Sequence, residues 1–142
     1  MCVGIGGFGA IGMAVGRALD NGKLPGLRLA GVSANDKDAA AKRMGDYHAP
    51  APVVSLTELA DLAEVVIECA PGAVFREIAE AAVDKGRVFM PLSCGQLLDH
   101  MDLVERAKVT GARIIVPTGA LLGLDAVRGA AEGEIHSVTM VT

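Results

Sequence analysis

Residues 3–12 read VGIGGFGAIG, five glycines in ten positions at the start of a 142-residue chain. Glycine inside a regular strand or helix costs about 0.5–1 kcal/mol relative to alanine. Such a cluster therefore marks backbone that something must approach with no side chain in the way. Two G-x-G-x-x-G frames overlap there, one on Gly4, Gly6 and Gly9 and one on Gly7, Gly9 and Gly12. The second is preferred, because the first leaves almost no strand ahead of its opening glycine. In that frame Gly7 permits a tight turn, Gly9 admits a pyrophosphate to the main chain, and Gly12 lets the next helix pack closely on the strand. The loop Gly7, Phe8, Gly9, Ala10, Ile11, Gly12 would then turn free N–H groups and the positive end of a helix dipole toward negative charge.

The elements around this loop make the motif more specific than its spacing alone. Val3 to Gly6 reads as a short buried strand. From Ala10 to about Asn21, Ile11, Val15, Ala18 and Leu19 recur at helical spacing, with Gly22 as the C-terminal cap. Leu27 to Ser33 reads as a second strand, and Asp36 to Met44 as a helix with Asn35 or Asp36 at its N-cap. A brief third strand is expected at Val53 and Val54. Ser55 and Glu58 fit a capping box opening a short helix through Leu59 and Leu62. AEVVIECA (63–70) is the clearest strand, followed by a helix from about Gly72 to Lys85 with Val74, Ile78 and Ala82 on one face and Gly86 after it. RVFMPLS gives a fifth strand. Leu97, Met101 and Val104 mark another helix, ending near Gly111, and ARIIVP (112–117) gives a sixth strand. Leu121 to Ala131 reads as helical, and Ile135 to Val141 alternates like one more strand. Strands separated by helices imply right-handed crossovers and a doubly wound α/β fold of Rossmann type, a mostly parallel sheet with helices on both faces.

In such a fold the ligand crevice lies beyond the C-terminal ends of the strands. After the second strand, GVSANDKD offers Ser33, Asn35 and Asp36. Ser33 and Asn35 could hydrogen-bond a 2′-phosphate, with Lys37 pairing to it, whereas Asp36 could serve the ribose 2′-OH of NAD or merely cap the next helix. Both NAD and NADP remain open at this point. ECAPGAV brings Cys69, Ala70 and Pro71 to the border of the cofactor. PLSCGQL brings Ser93, Cys94 and Gly95 near the nicotinamide ribose, with Cys94 as a small wall residue and not a nucleophile. PTGALLGLDAV brings Thr118, Gly119 and Ala120 to the wall beside the nicotinamide. His48, His100 and His136 occupy no strand end facing the crevice, so no proton donor is identified and the catalytic residues are unassigned.

The composition is globular, 51% hydrophobic and 21% charged, and the formal net charge is −4, which argues against nucleic-acid or anionic-membrane surfaces. No apolar run reaches the roughly 18–20 residues of a membrane span, and no basic segment with an apolar signal core opens the chain. Cys2, Cys69 and Cys94 show no C-x-x-C spacing and no clustering with histidine, so no metal site and a cytoplasmic location with reduced thiols are expected.

GFGAIG, VVIECAP, SCGQLLD and above all ARIIVPTGALLGLDAV resemble the L-aspartate dehydrogenases. The last stretch is the most specific, as P-[ST]-G-A followed by G-L-D is characteristic of that family. SCGQ departs from the smaller residues commoner there. The resemblance runs along the whole chain and corresponds to the family's N-terminal half. It implies an NAD(P)-binding domain over residues 1–132, with 133–142 starting a second, catalytic domain. It also implies that Ala120 and the Gly7–Gly12 loop contact the cofactor. Such enzymes reductively aminate oxaloacetate or oxidise aspartate to iminoaspartate, so a dinucleotide and a dicarboxylic amino acid are the implied ligands. The family's catalytic histidine lies beyond His136 and is not transferred to it. A piece of a longer protein or a split gene product is therefore expected. The unpaired final strand invites self-association, hence a homo-oligomer. Two alternatives stand beside this reading: a dehydrogenase of homoserine type, and a free-standing NAD(P)-binding module acting as a redox sensor or partner subunit.

Overall fold

The computed structural model describes residues 1–118 and 124–139. Five parallel strands form one sheet in the order β2-β1-β3-β4-β5, where β1 is Cys2–Gly6, β2 Arg28–Ser33, β3 Val65–Glu68, β4 Val88–Pro91 and β5 Arg113–Ile114. Between them run α1 (Ala10–Asp20), α2 (Lys37–Met44), α3 (Leu56–Leu62), a 3-10 turn (Gly72–Val74) leading into α4 (Phe75–Val83), α5 (Gln96–Asp99) and α6 (Asp102–Thr110). A last helix, α7, covers Leu124–Ala130. The doubly wound α/β fold read from the sequence is the one observed. One core cluster joins Val3, Ile5, Val32 and Val65 to Phe8, Leu19, Met44 and Tyr47. The other joins Val66 and Phe89 to Leu59, Phe75, Ile78, Ala82 and Leu103. No helix of the described residues is long and apolar enough to cross a membrane.

Several elements differ from the sequence expectation, each for a local reason. The third strand at Val53 and Val54 shrinks to a single parallel bridge, Val32 to Val53. Pro50 and Pro52 flank that segment and supply no N–H for a longer ladder. The bridge lies beside β2, on the side away from β1, where a third strand of a Rossmann sheet belongs. The sixth strand shortens to Arg113–Ile114, followed by chain without regular structure. The helix expected around Leu97, Met101 and Val104 breaks into α5 and α6 at His100, whose backbone (φ −130°, ψ 42°) is not helical. Its buried face is Leu103 and Ala107, while Met101 is exposed. On α1 the buried residues are Gly12, Gly16 and Leu19, and Ile11 points to solvent. On the segment after β3, Ile78 and Ala82 are buried, but Val74 falls in the 3-10 turn and is exposed. The alternating segment after Ile135 forms no strand through residue 139, and its end lies outside the described residues. The helix expected over 121–131 is observed where it is described, as α7.

Two caps settle as read. Ser55 and Glu58 make a reciprocal capping box on α3. At the end of α1, Gly22 takes φ +66° while the N–H of Lys23 reaches back to the carbonyl of Ala18 at 3.1 Å, which satisfies the last helical carbonyls.

Candidate functional site

The strand register aligns Ser33, Gly6, Glu68 and Pro91 in one row across the C-terminal end of the sheet. The next residue along β1 is Gly7, at φ +101°, a conformation that side-chain-bearing residues rarely adopt. A Cβ there would sit 2.6 Å from the carbonyl oxygen of Cys69. The Gly7 N–H donates to the carbonyl of Ser33 at 2.8 Å, and the Cys69 N–H donates to the carbonyl of Gly6 at 2.7 Å, so the ends of β2, β1 and β3 are tied together at the turn. A Cβ on Gly12 would overlap the carbonyl oxygen of Gly7, so only glycine lets α1 start this close to the strand. Around the Cβ position of Gly9 there is nothing within 4 Å. Gly7 thus makes the tight turn and Gly12 the close helix contact that their spacing predicts, and Gly9 faces open space.

The α1 helix has no side-chain cap, and its N-cap is Gly9 itself. The first carbonyl drawn into the helix is that of Gly9, which accepts from the N–H of Met13 at 2.9 Å. Among the described residues, the N–H groups of Phe8, Gly9, Ala10, Ile11 and Gly12 donate to no protein oxygen. Partnerless amides at a helix mouth, with open space in front of Gly9, suit a pyrophosphate. The Phe8 side chain is buried against Tyr47, with ring centroids 6.1 Å apart, so this residue offers the site only its main chain. Its carbonyl accepts from the Arg43 guanidinium at 3.1 Å, which ties α2 to the loop.

The remaining sequence candidates sort as follows. Ser33 is 8% exposed at the end of β2, and Asn35 is exposed. Asp36 is the N-cap of α2, its Oδ1 accepting from the N–H of Ala39 at 2.9 Å, so of the two roles open to it the structure shows the cap. Cys69 and Ala70 are half-buried and Pro71 is exposed, directly beyond β3. Burial, reinforced by the Glu68 carboxylate, pushes the Cys69 thiol up to about 12. Beyond β4, the Cys94 sulfur lies 3.3 Å from the carbonyl oxygen of Pro91 and 3.9 Å from that of Pro117, which brings the chain after β5 against the Ser93–Gly95 loop. Thr118 is exposed at the end of that chain, and Gly119 and Ala120 lie outside the described residues. Of the histidines, His48 sits against Asp20 at 3.1 Å, and His100 stacks on Phe75 with centroids 5.6 Å apart. His136 is exposed beyond α7, and none of the three belongs to the strand-end row. Among the described residues no cluster of His, Cys, Asp and Glu is arranged to hold a metal ion.

Sequence reasoning missed Glu68. It is completely buried, yet its Oε1 accepts from the N–H of Ala70 at 2.8 Å and its Oε2 from the N–H of Ser93 at 2.9 Å. The Ser93 hydroxyl adds a third bond, 3.2 Å to Oε1. The available signal was an acid closing the otherwise apolar run VVIE, where an apolar residue would end a buried strand. Arg43 was missed too, because nothing in its local sequence tells that α2 leans over the glycine loop.

Known proteins match both the sequence and the fold. The chain is 45% identical over 140 residues to an L-aspartate dehydrogenase of Bradyrhizobium diazoefficiens, an alignment that takes in 99% of this chain and 49% of the relative. It is 44% identical to L-aspartate dehydrogenase 3 of Bordetella bronchiseptica, over 99% of this chain and 52% of the relative. The chain therefore spans about half the length of these curated relatives. Among solved structures, a myo-inositol dehydrogenase of Lactobacillus casei, in complex with NAD(H) and myo-inositol, superposes with a TM-score of 0.71 at 21% identity, over 93% of this chain and 41% of that one. A probable dehydrogenase of Thermotoga maritima gives the same TM-score at 15% identity and the same coverage of both chains. At such identities these two show a shared fold. The family described as "Homoserine dehydrogenase, NAD binding domain" matches residues 7–117, from the turn glycine to the proline after β5, and the chain belongs to that family.

Proposed function

We propose that this chain is the dinucleotide-binding half of an oxidoreductase that interconverts aspartate and iminoaspartate or oxaloacetate with NAD or NADP. The observation that carries the reading is the row of partnerless amides from Phe8 to Gly12 facing open space at Gly9. Gly7 to Gly12 would hold the pyrophosphate. Ser33 and Asn35 would lie along the adenosine ribose, and the loops Cys69–Pro71 and Ser93–Gly95, with Thr118, would wall the nicotinamide half. When bound, the nicotinamide supplies the hydride chemistry, and the protein supplies position and a shielded surface. Residues 1–132 form the binding domain in this reading, and 133–142 begin a second domain that carries the substrate's acid–base groups. Two such chains pairing as a homo-oligomer in the cytoplasm completes it.

The cofactor's 2′ position is the open choice, and two observations favour acceptance of NADP. The carboxylate of Asp36 is engaged as a helix cap, and the cations Lys37 and Arg43 lie on the α2 side of the loop. Calorimetric titration of the 142-residue chain with NAD and with NADP is the test. Binding of either supports the dinucleotide reading, and silence with both overturns it. Ser33→Asp should weaken NADP about tenfold more than NAD, since a carboxylate beside a 2′-phosphate repels it. Equal effects would remove Ser33 from the site.

A further inference from the structure

We propose that Glu68 is a positioning residue: its buried carboxylate fastens the loop after β3 to the loop after β4 and so sets the wall against which the nicotinamide half of the dinucleotide rests. The inference rests on the cofactor site proposed above.

Three donors face this one side chain, the amides of Ala70 and Ser93 and the hydroxyl of Ser93, whose single proton also has the Ala70 carbonyl oxygen within 3.4 Å. Only an acceptor-only group satisfies all three, and a carboxylate has the lone pairs for it. A glutamine of the same shape would turn an NH2 toward one of the donors. Burying a carboxylate is costly unless its oxygens are fully hydrogen-bonded. Had the fold required only two neighbouring loops, the apolar contacts beneath them would serve, since Val66, Phe89 and Ile78 already pack there. The carboxylate does something those contacts do not. It fixes main-chain atoms on both loops to one rigid point at the end of a central strand. Those loops carry Cys69, Ala70, Ser93 and Cys94, on the β3–β4 side of the glycine turn, whereas the adenosine side is formed by β2. A Cβ on Gly72 would sit 3.0 Å from the Gln96 side chain, so the same two loops also close on each other farther out. The expected consequence is asymmetric: losing the fastening harms binding of the whole dinucleotide and spares fragments that end at the pyrophosphate.

The test compares NAD+ with ADP on the wild-type chain and on Glu68→Gln, by calorimetry, with thermal unfolding recorded for both proteins. Glu68→Gln is expected to weaken NAD+ at least tenfold and ADP less than twofold. Equal weakening of both ligands, or of neither, overturns the inference while leaving the cofactor site standing. Where only NADP+ binds, NADP+ and 2′-phosphorylated ADP replace NAD+ and ADP in the comparison, and failure of the wild-type chain to bind both NAD+ and NADP+ removes both proposals. Should Glu68→Gln not fold, hydrogen exchange on the wild type decides. NAD+ should slow exchange at the Ala70 and Ser93 amides severalfold more than ADP does, an effect that a purely structural brace would not show. Equal protection by the two ligands sinks the idea.

Discussion

Gly9 and Gly12 are three residues apart and fail in opposite ways when given a methyl group. At Gly12 the added carbon runs into the Gly7 carbonyl, so Gly12→Ala should destabilise the fold by about 1–3 kcal/mol through overpacking. At Gly9 nothing stands within 4 Å, and the backbone (φ −86°) suits alanine. Gly9→Ala should therefore cost at most about 1 kcal/mol, the capping preference of glycine over alanine, yet weaken dinucleotide binding tenfold or more. Denaturant midpoints and calorimetry on the two variants measure both halves of this contrast. The spacing made these glycines legible, because each role is a backbone role. Glu68 was not legible for the opposite reason: one of its two amide partners, Ser93, lies 25 residues away, and no local pattern records where another loop's N–H groups will point. Cys69 gives a chemical check at the same scale. With its thiol pushed up to about 12, it is protonated at pH 8, so iodoacetamide should leave it unmodified in the native chain and label it once the protein is denatured. Rapid native labelling would show that the strand end is open.

Elements were read best where a cap or a continuous apolar run defines them. The Ser55–Glu58 pair announced α3, and the structure forms both of its hydrogen bonds. That short helix matters to the sheet, since Leu59 fills the space that side chains at Gly4 and Gly31 would take. Ser55→Ala should lower stability by about 1 kcal/mol without altering cofactor affinity, readable as a shift in urea midpoint at constant slope. A change in slope would mean that the helix also shapes the unfolded state. Elements were misread where tertiary contacts override periodicity. Leu97, Met101 and Val104 fit one helical stripe, but His100 leaves the helix and stacks on Phe75, and the chain restarts with Leu103 inward. On α1 the predicted stripe began at Ile11, although the strand face is taken by Gly12 and Gly16. The latter lies under Tyr47, whose hydroxyl would stand 2.9 Å from a Cβ there. Apolar spacing reports which residues prefer to be buried, not how near the neighbouring strand lies.

At the scale of the molecule, acidic side chains tie separate segments together. Glu64 is held below the usual carboxylate range by the Cys2 amide, which fastens β1 to the start of β3. Burial pushes Asp20 up, but the amides of Ala49 and His48 outweigh it and leave the carboxyl lowered, which fastens α1 to the loop after α2. The Ser55 hydroxyl lowers Glu58, and the Arg76 guanidinium lowers Asp102. Depressed folded-state values mean that the stabilisation is complete above the ordinary carboxylate range near 4 and vanishes as pH falls through the lower folded values. The melting temperature should therefore hold between pH 7 and 5 and drop steeply below about pH 4. The double variant Asp20→Asn, Glu64→Gln should be less stable at neutral pH and lose less on acidification. An unchanged acid slope would assign the effect to other groups.

The sheet gathers its strand ends into one row, and that row holds serine, glycine, glutamate and proline but no histidine. Glu68 faces inward and its oxygens are taken by Ala70 and Ser93, so it cannot shuttle a proton to a substrate. A surface of this kind can orient a dinucleotide and leave the proton transfers of amine oxidation without a partner. Relatives about twice as long have room for a second set of elements to supply them. The 142-residue chain should accordingly bind NAD or NADP in calorimetry and show no aspartate-dependent rise in absorbance from reduced cofactor. A fusion extending it with the remaining half of the Bradyrhizobium relative should recover the activity. Aspartate oxidation by the 142 residues alone, at a rate comparable with that fusion, would place the acid–base groups on this half and defeat the division of labour argued from the row.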